Sequence, residues 1–584
     1  MIKIKVMLLL IFSIFSFSVS ANKTRSCASV KKWITKTILE KKTEQTSFYI
    51  NAFLIRPELE TQEEALKKIN DNITGTLITQ GDEIIFVLEK NNCVEANELA
   101  KNGFNVVDFN GKFIIPGLHD LHIHNFGVNS DIPNSPIFSE NGTPVKHLDY
   151  PGPLAMNYRM AYAGVTSHLD LMSFNRETKI MRDQQRMIHS YGSAPSKNYM
   201  PTSNIFMSAG IFRIEGGHHG DISFLVGKDK HTTIAFSKDK IVEQKDDIQR
   251  LKALRKVISD HINEFHPITL KITYDHNPHR PGHPKINNVN RQLLGEFISI
   301  AKQIDPKIKI ICHVGIWQDV VDCIEQGAQA VTHLPYSSDN DLEYQIPKGI
   351  FEKMKAKNIT VIPTMTVYME GGFVKNSLFN IFNRTEPCSA GDENCECILT
   401  VCTKSIESGE LSGNKHFFED PLLKAVTPTG LLNSYLNFDN YAGNHWLQWG
   451  VENNKLGYRQ KTFRKLMNSG VRVLSGTDTM WEATFFGFSL HRELELMQLT
   501  NDIADIPYKP ITQMEILKTS TSNVHDFLNH KRGRLKIGFK ADFLVLNSSP
   551  LDNILNTRDI NSVVINGIIV DREKIVNQDL MKVQ

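Results

Sequence analysis

His122 and His124 stand one residue apart at the end of an apolar run, Lys112-Phe113-Ile114-Ile115-Pro116-Gly117-Leu118-His119-Asp120-Leu121-His122-Ile123-His124. On an extended strand successive side chains point to opposite faces, so the two imidazoles share one face and can grip a metal ion from one direction. A pair of core histidines that merely alternates has the same pattern, so the rest of the chain has to decide. Lys271 lies in Pro267-Ile268-Thr269-Leu270-Lys271-Ile272-Thr273-Tyr274, where Ile268, Leu270 and Ile272 share one face and Lys271 shares the other with two threonines. With the aliphatics turned outward, the lysine points into a core where an unpaired ammonium is expensive. Losing the charge or being modified relieves that cost; snorkelling to the strand's mouth is the alternative. His313 ends the run Ile308 to Gly315, His333 ends Ala328 to Leu334, and Asp478 ends Val471 to Asp478. Nitrogen and oxygen donors of these types suit zinc, with manganese, cobalt or iron as alternatives. No Gly-x-Ser-x-Gly elbow is present to suggest a serine nucleophile.

The elements that must position these groups follow from the pattern between them. Strand-like runs at Gly164 to Asp170, Asn204 to Gly210 and Ile359 to Thr364 join those above, and helical stretches alternate with them. That alternation argues for a parallel sheet, and its length suits a closed barrel, whose C-terminal strand ends carry catalytic groups. Both termini are instead β-rich. Ser47 to Ile55, Ile73 to Gln80 and Glu83 to Leu88 read as strands, the last two around a Gly81-Asp82 turn. Gly538 to Leu546 and Val563 to Val570 read as strands near the other end, with a hairpin signal at Asn566-Gly567. Thr24 to Gln45 reads as a helix or an extended lead-in. Residues 365–470 form a long segment between the seventh and eighth barrel strands, expected to be a small subdomain over the mouth, either a lid or a stabilising or oligomer-forming insertion.

Pro116-Gly117-Leu118-His119-Asp120-Leu121-His122-Ile123-His124 resembles the first-strand signature of the amidohydrolase superfamily, metal-dependent hydrolases on a (β/α)8 barrel. His119 departs from it, standing where an aliphatic residue is usual. The order His-x-His, Lys, His, His, Asp continues the resemblance, and Glu215-Gly216-Gly217-His218-His219-Gly220 resembles the glycine-rich loop of the imidazolonepropionase-like and prolidase-like branch. The resemblance implies an α/β fold: a (β/α)8 barrel over 113–532 with a small β-sandwich built from 22–112 and 533–584. It implies two divalent metal ions, most simply zinc. His122, His124 and Asp478 would hold one, His313 and His333 the other, and a carbamylated Lys271 would bridge them. A metal-bound hydroxide would then hydrolyse a carbon–nitrogen bond of a small molecule, such as a dipeptide (Xaa-Pro among them) or an N-acyl amino acid, with Asp478 as the catalytic proton carrier. His218, His219, Tyr274 and His491 are the candidate substrate contacts. Esterase or lactonase chemistry on the same barrel is the alternative, as is an exported binding protein that has lost its metals.

Composition bounds the remaining classes. The chain has 584 residues, enough for a large barrel plus an accessory unit. Lysine and arginine total 66 against 64 acidic residues, so there is no electrostatic case for nucleic acid. Met1 to Lys5 is basic, Val6 to about Val19 is apolar, and Val19-Ser20-Ala21 supplies small residues. That is a secretory leader over 1–21, with an uncleaved anchor as the alternative. It implies an exported chain, periplasmic or secreted, with no stable membrane span once cleaved. Cys27 lacks a lipoprotein signal. Cys388, Cys395, Cys397 and Cys402 crowd one polar stretch and read as disulfides in such a compartment, more readily than as a zinc site. Cys312 and Cys323 read as core residues.

Overall fold

The computed structural model describes residues 27–89, 95–125, 139–140, 143–144, 153–172, 175–190, 199–214, 217, 233–236, 246–276, 287–335, 346–367, 420–427, 455–479, 484–502 and 508–581. The expected leader, His218 and His219, the four cysteines from Cys388 to Cys402 and most of 365–470 lie outside these residues.

The N-terminal strands are β1 (Thr46–Leu54), β2 (Gly75–Gln80), β3 (Glu83–Leu88), β4 (Asn105–Asp108) and β5 (Phe113–Pro116). β1, β2 and β3 run antiparallel in that order, while β4 and β5 lie parallel to β1. Alternation puts Phe48 and Ile50 against the helix Cys27–Leu39 and Tyr49 on the other face. Asn51, at φ 56°, marks a bulge that reverses the alternation, so Ala52 and Leu54 join the face of Tyr49.

The run from Phe113 to His124, expected as one strand, is two. β5 ends at Pro116 and β6 (Leu118–Ile123) begins a different sheet. Gly117 is the junction. Its N–H donates to Asp542 O at 2.9 Å, and a Cβ there would lie 2.2 Å from Thr166 Oγ1. Only a residue without a side chain lets the two layers approach this closely.

A short hairpin of β7 (Ser139–Glu140) and β8 (Thr143–Pro144) follows. β9 (Val165–Asp170) and β10 (Asn204–Met207) then make a three-stranded parallel sheet with β6, in the order β10-β9-β6. A seven-stranded parallel sheet follows, from β11 (Ile211–Ile214), β12 (Thr233–Phe236), β13 (Thr269–Tyr274), β14 (Lys309–Val314), β15 (Ala330–Thr332), β16 (Thr360–Ile362) and β17 (Arg472–Val473). Its order is β12-β11-β13-β14-β15-β16-β17. β11 and β12 were not expected. Ala209 (φ 56°) and Gly210 (φ 108°) turn the chain after β10, so Ile211–Ile214 adds to the edge of β13 instead of extending the previous strand. The parallel strands thus form two sheets where one eight-stranded ladder was expected. Backbone hydrogen bonds still join the sheets. Leu121 N to Ser475 O (2.9 Å), Asp478 N to His122 O (2.7 Å) and His124 N to Thr479 O (2.7 Å) tie β6 to the segment after β17, and Ile268 N to Met207 O (3.2 Å) ties β13 to β10.

Amphipathic helices, among them Asp247–Phe265, Arg291–Ile304 and Trp317–Gln326, separate the strands and bury one face on them in a continuous apolar layer that includes Leu254, Phe297 and Val320. The C-terminal strands β18 (Phe543–Leu546), β19 (Ile560–Ile565) and β20 (Ile568–Ile569) return to the first sheet, where β18 pairs antiparallel with β5 and β19. Asn566 (φ 52°) and Gly567 (φ 78°) make the two-residue turn of the last hairpin. The two ends of the chain therefore share one eight-stranded sheet. Two short helices, Gln513–Ser520 and Ser522–Leu528, meet at Thr521 before the chain returns to the first sheet.

Candidate metal centre

Five strands, or the segments directly after them, deliver side chains to one buried cluster toward their C-terminal side. On β6, Asp120, His122 and His124 share one parity; their side chains are buried, and the two imidazole centroids are 5.2 Å apart. Asp478 Oδ1 lies 3.1 Å from His122 Nε2 and 2.7 Å from His124 Nε2. Lys271 Nζ is 2.6 Å from His122 Nε2. His333 lies beside His122, with centroids 5.2 Å apart and the rings tilted by 48°, and its Nε2 is 2.8 Å from His313 Nδ1. One unbroken set of contacts therefore joins His124, Asp478, His122, Lys271, His333 and His313. Three residues at these strand ends adopt left-handed backbone, His333 (φ 73°), Thr364 (φ 48°) and Asp478 (φ 58°), a conformation that side-chain-bearing residues adopt where the surroundings enforce it.

The electrostatics are those of a site with too little charge compensation. Burial pushes the Lys271 ammonium down to about 8, with Asp478 and Asp170 acting in the opposite direction, and no carboxylate among the described residues pairs with it within 4.0 Å. Burial likewise pushes His122 down to about 3, helped by Lys271, and His333 well below the usual imidazole range, helped by His313. Asp478 behaves oppositely. Burial would raise it, but His122 and His124 hold it well below the usual carboxylate range.

The donor set fits a cation. Nδ1 of His124 is 3.1 Å from Met172 O, an acceptor only, so a neutral imidazole places its one proton there. Its Nε2 lone pair then faces the ionised Asp478 oxygen at 2.7 Å, an arrangement that needs a proton or a metal ion between the two. Ligand atoms of His122, His333 and Asp478 all lie within 4.8 Å of one another. A buried lysine that gives up its proton more readily than an exposed one is also the residue that can carry a carbamate.

Two expected substrate contacts lie elsewhere. Tyr274 is on the opposite face of β13 from Lys271, and its hydroxyl donates to Asp322 Oδ2 at 2.9 Å on the helix Trp317–Gln326. Strand parity carries Lys271, Thr273 and Asp275 inward, so the residue at the mouth is Asp275, whose Oδ2 is 3.4 Å from His313 Nε2. His491 is buried in the helix Phe488–Leu499, with Nε2 2.7 Å from Ala163 O and Nδ1 2.9 Å from Thr557 Oγ1. Ala163 precedes β9, so His491 ties the N-terminal side of the strands rather than their mouth. His119 also points outward, with Nδ1 3.2 Å from Ser520 O. Asp120 is inward but structural in its contacts, accepting from Thr477 N (3.1 Å), Thr477 Oγ1 (2.7 Å) and His122 N (3.2 Å). Burial pushes its carboxyl up to about 7 against those donors. Asp170 at the end of β9, Asp275 and Thr364 were missed by the sequence reading. Counting in twos from His168, from Lys271 and from Ile362 would have found them.

The model of the amidohydrolase family matches residues 440–570, which include Asp478. Comparison with curated proteins finds no match. Among solved structures, ochratoxinase from A. niger superposes with a TM-score of 0.54 at 16% identity, covering 90% of this chain and 95% of its own. A Xaa-Pro dipeptidase with bound methionine gives 0.54 at 14%, covering 90% and 99%. Molinate hydrolase gives 0.56 at 14%, covering 91% and 96%.

Proposed function

We propose that this chain is an amidohydrolase, a metal-dependent hydrolase that cleaves a carbon–nitrogen bond in a small molecule at a binuclear centre; the family match over residues 440–570 and the fold support that reading. The two parallel sheets, hydrogen-bonded to each other at both seams, are read as one (β/α)8 barrel with the cluster at its mouth. His122, His124 and Asp478 would hold one cation, His313 and His333 the other, with Lys271 as its carbamate between them. When bound, such ions supply Lewis-acid activation of water near neutral pH and polarisation of a carbonyl. The chain's own groups do the rest. Asp478 is ionised at neutral pH and would take the proton of the attacking water and pass it to the departing amine nitrogen as the C–N bond breaks. Burial of the cluster excludes competing solvent.

The observation that carries this reading is the His124 imidazole, whose proton is committed to Met172 O while its other nitrogen meets the Asp478 carboxylate. The solved neighbours named for dipeptide, molinate and ochratoxin hydrolysis make dipeptides and N-acyl amino acids the first compounds to screen. Export is proposed as well, supported by the basic and apolar opening and by the disulfide bonding of Cys27. Among the described residues no helix is long and apolar enough to cross a membrane.

The test is metal content of the mature protein, purified without chelator and with bicarbonate present, by elemental mass spectrometry. Two metal ions per chain, reduced by Lys271→Ala, is the expected result. One ion, indifferent to that substitution, would point to a mononuclear site, and none after reconstitution would end the catalytic reading.

A further inference from the structure

We propose that Glu493 and Thr364 act together as a positioning device for His333, linking the helix Phe488–Leu499 to the candidate metal centre; this rests on the reading of that centre given above. The link nearest the site is Thr364 Oγ1, 2.7 Å from His333 Nδ1. The other ring nitrogen of His333 faces the cluster, so the threonine oxygen sets which way the ring turns and, by accepting the Nδ1 proton, would leave Nε2 its lone pair. Thr364 is β-branched and sits at φ 48°, a backbone such residues seldom adopt, so something must hold it there.

Glu493 supplies the hold. Its Oε1 accepts from Met365 N at 3.0 Å and its Oε2 from Thr366 N at 2.7 Å, and the Thr366 hydroxyl donates to the same Oε2. These are the two residues directly after Thr364, and one buried carboxyl group fixes both of their N–H groups. Glu493 is fully buried, and no basic side chain among the described residues forms an ion pair with it. A solitary buried carboxyl is costly, and its three donors all belong to the turn that begins at Thr364. A cap with no purpose beyond the turn itself would not require Thr364 to be strained toward an imidazole. The arrangement instead delivers the hydroxyl to His333 in a single step. The segment that leaves β16 is thereby anchored to the helix Phe488–Leu499, and through Thr364 the anchor reaches the imidazole of His333.

The experiment compares metal affinity of full-length wild type, Glu493→Gln, Thr364→Val, Thr364→Ser and the double variant Glu493→Gln/Thr364→Val. Zinc retained against graded chelator is measured, together with the circular dichroism and melting of each metal-free protein. Loss of a partner to a metal-binding histidine weakens affinity about 10- to 100-fold. Thr364→Val and Glu493→Gln should each lose at least about tenfold, Thr364→Ser should stay within about twofold of wild type, and the double variant should be no worse than the weaker single, because both act along one path. Wild-type retention by Thr364→Val overturns the device whatever Glu493→Gln does, since a merely structural glutamate would not act through that hydroxyl. Additive losses in the double variant overturn it as well. A wild-type protein that binds no zinc overturns the metal reading itself, a result distinct from zinc-loaded variants that behave like wild type. Should Glu493→Gln fail to fold, the Thr364 pair alone decides.

Discussion

Replacing Lys271 with methionine should stabilise the metal-free protein at neutral pH, the reverse of its effect on the loaded protein. The lysine is completely buried, and burial pushes it from 10.5 to about 8. At about 1.4 kcal/mol for each tenfold in proton affinity, the folded chain spends about 3 kcal/mol whenever it must carry the ammonium. Below pH 8 both folded and unfolded lysine are protonated and the whole cost is present. Between pH 8 and 10.5 the unfolded chain binds more protons than the folded one, so stability rises with pH and the cost has vanished at the upper end. Methionine has a similar length and no charge, and fills the same space. In protein freed of metal and bicarbonate, Lys271→Met should therefore lead wild type by up to about 3 kcal/mol at pH 7, with the lead gone by about pH 10.5. Urea unfolding of both proteins across that range measures the difference, and titration of other groups cancels between them. With metal and bicarbonate restored the order should invert, because wild type alone has the bridging ligand to gain from binding. A variant that is less stable than wild type at pH 7 without metal, or a difference that ignores pH, would refute the account of Lys271 as a buried amine with no carboxylate paired to it.

Other expectations follow from the same contacts. Asp478→Asn should lower kcat by about 10²- to 10⁴-fold on whichever amide is cleaved, checked by steady-state kinetics at matched metal content. Metal-free protein should lose stability steeply as pH falls below about 6.5, because burial holds His122, His168 and His491 at about 3 while their unfolded counterparts take up protons; chemical unfolding at pH 7, 6 and 5 reads this as a slope of several protons. Tyr274→Phe should leave kcat/KM within about twofold and cost about 1 kcal/mol of stability, since it removes a hydrogen bond to Asp322 outside the cluster; a large kinetic loss would restore the tyrosine to the substrate site. Gly117→Ala should destabilise by about 2 kcal/mol or more, measured by thermal melting, because the new methyl meets Thr166 Oγ1.

Much of the site was legible in one dimension because strand alternation is a local rule. Types and parity alone put His122 with His124, turned Lys271 inward and set His313, His333 and Asp478 at strand ends, and the structure brings these six into contact. The first sheet was legible for a similar reason, since apolar alternation and the Gly81-Asp82 and Asn566-Gly567 turns are written within a few residues. Tyr274 was misplaced by a single step of the same alternation, which is where a local rule is most fragile. What the sequence could not carry is everything decided between distant segments. Nothing near Gly117 announces Thr166, yet their approach splits one apolar run into strands of two sheets. The choice of His491 for Ala163 O over the mouth, the pairing of Ile211–Ile214 with β13, and the grip of Glu493 on the turn after Thr364 each depend on residues more than fifty positions away. Helix and strand periods fix which face a side chain takes; only packing fixes what it meets, because contact energies between remote segments are settled when the layers close.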